Sequence, residues 1–285
     1  MTILITGATG QVGGATARAL LAQGAPVRAL VRNLAFAQRL EGAEIVQGSF
    51  EDGASLDRAL TGVDALLLVC ADHPDAVPHY VGVLERAWAA GVRHIVKLSA
   101  IGASAYSPVH LMADHHALDE RLRAGPSGWT LLQPHLYLQN LLRAAAAIRK
   151  TGRLSAPMAH DSLPLVDARD VGAAAAAVLM DPAAHRGKTY RLTGPKAISY
   201  DQVAAALSEL LGRPVEYEAV DPHDWEARLR VRDVPGWRAF DLAHILYAYE
   251  PPDNAVSADF EQLTGRPPTA LATFLQDYRA DFTGA

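Results

Sequence analysis

Short aliphatic runs alternate with longer stretches of helical periodicity through the first half of the chain. The runs are Ile3 to Thr6, Val27 to Val31, Glu44 to Gln47, Ala65 to Val69, His94 to Leu98 and Trp129 to Gln133. Between them the spacing predicts helices over Val12 to Gln23, Ser55 to Leu60, Pro78 to Ala90 and Leu111 to Arg123, with Gly24, Gly62, Gly91 and Gly125 as C-terminal caps or turns. Apolar strands separated by helices make βαβ units and a parallel sheet. The expected fold class is therefore α/β, a Rossmann-type doubly wound parallel sheet over residues 1–150.

Further on the pattern loosens. Pro157 and Pro164 bracket an irregular segment, an alanine-rich helix runs from Asp170 to Met180, and a strand at Thr189 to Leu192 returns the chain to the sheet. Parts of 151–195 thus complete the first domain. Residues 196–285 are expected to form a smaller, mainly helical C-terminal substrate-binding region. Its helices fall near Tyr200 to Leu211, Trp225 to Val231 and Ala270 to Phe282, with one strand near Val215 to Ala219.

Composition narrows the class further. Half of the 285 residues are hydrophobic and a fifth are charged, which suits a globular chain with a sizeable core. The net charge of −5, with no cluster of lysine and arginine, gives no electrostatic footprint for nucleic acid or an anionic membrane. The single cysteine, Cys70, excludes an internal disulfide and sits in an apolar run as a packed core residue, which favours a reducing compartment. The first strand begins within two residues of Met1, with no basic leader and no membrane-length apolar stretch, so the expected location is cytoplasmic.

The most informative local pattern is the strand Ile3-Leu4-Ile5 running into Gly7, Gly10 and Gly13 and then into an alanine-rich helix. Glycines let the backbone turn sharply and approach a pyrophosphate, while the free N–H groups at the helix start attract the anion. The residues expected to cradle it are Gly7, Thr9, Gly10, Gln11, Val12 and Gly13. At the end of the second strand stands Arg32, and no carboxylate occurs between Gly24 and Glu41. A 2′-phosphate would meet a cation there, so the expected cofactor is NADPH/NADP. Ser49 and Phe50 follow the third strand, where adenine would sit. Phe50 either walls the base or belongs to the core, and Asp52 or Ser55 caps the next helix. Val69, Cys70 and Ala71 follow the fourth strand and would pass the nicotinamide ribose.

At this point the chain resembles the NmrA-like branch of the atypical short-chain dehydrogenase/reductase superfamily, with likeness to its NAD(P)H quinone and triphenylmethane dye reductases. The motifs are Thr6-Gly7-Ala8-Thr9-Gly10-Gln11-Val12-Gly13, Val31-Arg32-Asn33 and Lys97-Leu98-Ser99-Ala100-Ile101-Gly102-Ala103. They continue with Leu132-Gln133-Pro134 through Gln139-Asn140, Val166-Asp167-Ala168-Arg169-Asp170-Val171, Tyr190-Arg191-Leu192-Thr193-Gly194-Pro195 and Thr264-Gly265-Arg266-Pro267. The resemblance implies an NADPH-binding domain with a small C-terminal substrate region. The branch contains both reductases and catalytically silent redox sensors.

The ordinary superfamily set is a serine, a tyrosine and a lysine. Counting from Ser99 places Met112 at the tyrosine position and His116 at the lysine position, so the usual proton donor is absent. Met112, His116 and Glu120 share one helical face, and Glu120 could orient His116. His116 is then a candidate ribose ligand or proton relay, and its neighbour His115 is expected to be solvated. Ser99 would donate to substrate, and Tyr137 is the best remaining phenol, with packing as the alternative. His135 is a second candidate for substrate contact, and Tyr106 could line a substrate mouth. Histidine spacing suggests no metal site.

The leading reading is an NADPH-dependent reductase that passes hydride to an apolar conjugated acceptor such as a quinone, dye or aromatic carbonyl, with His116, Ser99 and Tyr137 as catalytic candidates. Its partner would be a small apolar or aromatic substrate. Alternatives are a non-catalytic NADP(H) sensor, which would need a protein partner, and a redox-neutral isomerase, epimerase or cyclase.

Overall fold

The computed structural model describes residues 1–69 and 73–284. The chain begins with β1 (Ile3–Ile5), α1 (Gln11–Ala22), β2 (Val27–Val31), a 3-10 segment at Leu34–Leu40 and β3 (Glu44–Gln47). It continues through α2 (Gly53–Leu60), β4 (Ala65–Leu68), α3 (Ala76–Ala89), β5 (His94–Leu98), α4 (His110–Arg123) and β6 (Gly128–Pro134). A second 3-10 segment, Leu138–Ala144, leads to α5 (Ala145–Thr151), β7 (Arg153–Ala156), α6 (Ala168–Met180) and β8 (Lys188–Leu192). The remainder holds α7 (Tyr200–Leu211), β9 (Glu216–Ala219), α8 (Pro222–Arg230), α9 (Gly236–Ala243), α10 (Asp259–Thr264), α11 (Leu271–Asp277) and α12 (Arg279–Thr283).

Seven strands form one sheet in the order β3-β2-β1-β4-β5-β6-β8, and every pair is parallel. The winding reverses between β1 and β4, and in such sheets the crevice outside the strand ends at that point receives the ligand. Alternate residues of each strand feed opposite cores. Ile3 and Ile5 of β1 pack with α1 and α6, whereas Leu4 packs with α2, α3 and α4. The alanine-rich face of α6 has a packing cause beyond helix propensity. At Gly172 an added Cβ would lie 2.5 Å from Ala15 Cβ, so only small residues let α6 lie this close to α1.

The C-terminal half departs from the sequence expectation in two places. β7 was not expected. It pairs in parallel with β9, so residues 153–156 belong with the C-terminal region, while α6 and β8 belong with the large sheet. Four residues are too few for a periodicity to stand out. The helix expected over Ala270 to Phe282 is divided at Tyr278 into α11 and α12. Phe274, Leu275 and Phe282 all enter a third core with Leu141, Ile148 and Leu207. No helix among the described residues is long and apolar enough to cross a membrane.

Candidate functional site

The turn after β1 is built by hydrogen bonds and by absent side chains. Thr6 Oγ1 donates to Leu67 O (3.1 Å) and accepts from Val69 N (2.9 Å), tying the ends of β1 and β4 together. Gly7 then adopts φ +62°, and its carbonyl accepts from Gly10 N at 2.9 Å. At Gly13 a Cβ would stand 2.4 Å from Gly7 O, so any side chain there would force the turn open. Gly10 caps α1 without a side-chain hydrogen bond, which leaves first-turn N–H groups free for an anion.

Beside the turn lies a cavity of about 310 Å³ whose lining includes Thr9, Gly10, Gln11, Arg18, Gln139 and Arg169. These residues fit a dinucleotide pyrophosphate: an open helix start, glycines where the turn is tightest and the Arg18 guanidinium, whereas the Arg169 guanidinium is held by Asp167 and Asp277. Val12, by contrast, directs its side chain into the core, so only its backbone serves the turn. Sequence reading did not single out Arg18, and it placed Gln139 and Arg169 in the family motifs without giving them a site role. Arg18 was legible in principle, because it lies on the same face of α1 as Gln11 and Gly14.

Arg32 is exposed at the end of β2, and among the described residues no carboxylate pairs with its guanidinium. Its carbonyl accepts from Gln47 Nε2 (3.3 Å), and Asn33 caps the following 3-10 segment through Ala35 N (2.9 Å). Ser49 donates its backbone N–H to Ser55 Oγ (3.2 Å). Phe50 meets Tyr80 edge-on at 5.1 Å and packs, partly buried, against the second core. Asp52, not Ser55, caps α2, accepting from Ser55 N at 3.2 Å. Val69 stands directly against Gly7. Cys70 and Ala71 lie outside the described residues.

The serine expected to face substrate belongs instead to a buried polar cluster. Ser99 Oγ donates to Asp119 Oδ2 at 2.6 Å, and Lys97 Nζ donates to Asp119 Oδ1 at 2.7 Å. Lys97 also reaches His115 Nδ1 (3.2 Å) and the His115 carbonyl (3.4 Å), so all three ammonium protons have acceptors. Lys97 is fully buried, and Asp119 is 2% exposed. Such charges persist away from water only when fully paired.

His115 is buried as well, which corrects the expectation that it is solvated. Burial first, and Lys97 second, hold its imidazole well below the usual histidine range, so it is neutral with Nδ1 as acceptor. The two α4 residues one turn apart that share a partner are therefore His115 and Asp119, both bonded to Lys97, and not His116 and Glu120. Glu120 is exposed and bonded to Arg123 instead. The one-residue difference rotates the pair by about 100° around the helix. The missed signal was Lys97 itself, a lysine inside an apolar strand that needs a buried partner.

His116 is half-buried, and its side chain forms no hydrogen bond among the described residues. Met112 packs with Ala100, Val109, Ile245 and Ala248, an apolar patch at the carboxyl end of β5. Tyr137 begins the segment after β6, bridging to Val166, and burial pushes its phenol above the usual range, so it stays protonated. Sequence reading did not single out Tyr249. Its ring stacks on His135 at 4.5 Å and 19°, and its phenol is pushed up by burial and by nearby Tyr137. His135 Nε2 lies 3.2 Å from Asn254 Oδ1, while its Nδ1 is buried without a partner. Burial lowers the His135 imidazole to about 4, so at neutral pH it is an uncharged acceptor beside two phenols. Tyr106 is 96% exposed, outside this patch.

The distant sequence motifs are joined physically. Gln139 donates to Asp167 Oδ1 (2.7 Å) and accepts from Ala168 N (2.9 Å), and Asp167 caps α6. Asp170 accepts from Arg266 (2.8 Å) and from Thr269 N (2.6 Å), anchoring the C-terminal segment to α6.

Sheet order, glycine turn and open helix start define a Rossmann-type dinucleotide-binding protein. The chain belongs to the NmrA-like family, whose profile matches residues 1–266. It is 35% identical over 287 aligned residues to the NAD(P)H azoreductase of Xenophilus azovorans, covering 99% of this chain and 100% of that protein. It is 36% identical to a (4-alkanoyl-5-oxo-2,5-dihydrofuran-3-yl)methyl phosphate reductase of Streptomyces griseus, with 93% of each chain covered. The NADPH complex of the Escherichia coli quinone oxidoreductase QOR2 superposes with a TM-score of 0.87 at 31% identity, covering 97% of this chain and 99% of that one.

Proposed function

We propose that this protein is an NADPH-dependent reductase of small apolar, conjugated acceptors. Bound at the glycine turn, NADPH supplies hydride. Gly7, Gly10 and Gly13 with the N–H groups of α1 would hold the pyrophosphate, helped by Arg18, and Arg32 would meet the 2′-phosphate. His116, half-buried with its side chain free of hydrogen bonds among the described residues, is the candidate for the ribose and for relaying a proton.

The observation that supports the acceptor class is that neither the serine nor the tyrosine position of the superfamily set offers a free proton among the described residues. Met112 is packed in an apolar patch, and the Ser99 proton is engaged by Asp119. An acceptor that stabilises its own added charge and takes a proton from water tolerates such a site. The azo group, the quinone and the 5-oxo-2,5-dihydrofuran ring in the names of the relatives are all conjugated systems of this kind. Tyr137 and Tyr249 offer protonated phenols and flat surfaces against such an acceptor. The single cysteine fits a cytoplasmic setting.

The test is steady-state oxidation of NADPH against a panel of quinones, azo dyes and unsaturated lactones. Turnover with at least one, lost in Gly13→Val, is the expected result. NADPH binding with no turnover on the whole panel would favour a sensor instead.

A further inference from the structure

Away from the dinucleotide turn, the fold gathers one group of metal-ligating side chains among the described residues: His223 and Glu226 of α8, and His244, which ends α9. One ligand atom of each lies within 4.8 Å of those of the other two. His223 and Glu226 are three residues apart and share a face of α8. The turn between the helices brings in His244 from 18 residues beyond Glu226, a separation at which histidine spacing along the chain gives no hint.

The polar accounting at His244 is incomplete. It is 1% exposed, its Nε2 lies 3.1 Å from Glu226 Oε2, and its Nδ1 is buried with no hydrogen-bond partner. Phe240 and Tyr247 flank the ring at 4.4 Å and 5.1 Å, and the exposed His223 ring stands 5.0 Å away. Nε2 is the ring nitrogen that faces Glu226 and is therefore the one placed to ligate an ion beside that carboxylate.

Two imidazoles and a carboxylate are a donor set suited to zinc and its borderline neighbours. The 3.1 Å separation between Nε2 and Oε2 is close to the edge of a tetrahedron built on metal–ligand bonds of about 2.0–2.1 Å. His223, free on the surface, closes the remaining gap by side-chain rotation. Glu226 is held for the role. Its Oε1 accepts from Arg230 Nε (2.9 Å) and Nη2 (2.6 Å), which fixes the carboxylate with Oε2 facing His244 Nε2, where a bound ion would replace the present hydrogen bond.

We propose that His223, Glu226 and His244 form a binding site for a divalent transition metal of the zinc class, with water completing the coordination, and that the ion fastens α8 to α9. The site is structural. α9 in turn holds α4, because Asp241 accepts from the backbone N–H groups of His110 and Leu111, both at 2.9 Å.

The experiment uses tag-free, full-length protein stripped with a chelator and titrated with Co²⁺, then with Zn²⁺ in competition. One saturable equivalent with a low-symmetry visible Co²⁺ spectrum, displaced by Zn²⁺, is the expected result. His244→Ala risks unfolding, so exposed His223→Ala is the primary variant. It should weaken Co²⁺ by more than the roughly tenfold loss that even an outer-shell partner causes. His160→Ala, an exposed histidine paired with Asp201, should leave binding unchanged. The absence of saturable binding in the unaltered protein, or equal binding by His223→Ala, overturns the site.

Discussion

The glycine turn after β1 and the polar cluster behind β5, on strands separated by β4, are built by opposite means. The turn works through what is missing: no Cβ at Gly13, a left-handed Gly7 and an uncapped helix start. The cluster works through what is present, a lysine, an aspartate, a histidine and a serine buried together where one unpaired charge would be unsupported. The turn is contained within one stretch of sequence, whereas the cluster joins β5 to a helix face some 20 residues away. Function at the first is a matter of backbone shape, and at the second of complete pairing.

Breaking the cluster should have the largest effect. Lys97→Met leaves the Asp119 carboxylate buried with only Ser99, and urea unfolding should register a loss of about 3–5 kcal/mol. Lys97→Met combined with Asp119→Leu should recover most of it, and a small loss in the single variant would show that the pair does not hold α4 to β5. At the turn, Gly13→Val should weaken dinucleotide binding roughly a hundredfold, equivalent to about 3 kcal/mol of steric conflict, by fluorescence titration. Arg32→Ala should reduce NADPH affinity by about 1.5–3 kcal/mol and leave NADH nearly untouched. Equal loss for both nucleotides would remove Arg32 from the 2′-phosphate.

A pH series sharpens the same contrast. His94 and His135 are held near 4 by burial, below the value of 6.5 that they regain on unfolding. The unfolded chain therefore binds more protons between these values. The stabilisation is complete above about pH 6.5 and is lost as pH falls towards 4, by at most about 1.4 kcal/mol per pH unit for each histidine. Replacing His135 by Gln should flatten the slope. The smallest effect belongs to His116→Ala, which should leave stability within about 0.5 kcal/mol while lowering NADPH affinity or turnover. Unchanged values of both would make it an ordinary surface residue.

This contrast also accounts for what was legible in the sequence. Strand and helix alternation marked the sheet because burial on both faces enforces continuous apolar runs, and Gly7, Gly10 and Gly13 marked the turn because their requirement is local. His115 was misjudged for the opposite reason. Neighbouring positions on α4 differ by about 100°, and only the docking of the helix decides which faces inward. Tyr249 and the long-range partner of Arg169 were not legible because the contacts come from distant segments: Tyr249 reaches His135 across the fold, and Arg169 meets Asp277. β7 was missed because its partner strand lies some 60 residues further on.

Asp241 gives α4 an unusual dependence. Val109 offers the helix no side-chain cap, and the first amides are satisfied by a carboxylate 130 residues later in the chain. Withdrawal of α9 from the start of α4 and fraying of α4 are therefore one event. The amide protons of His110 and Leu111 become a clock for it, exchanging with solvent deuterium only as often as the C-terminal region lifts.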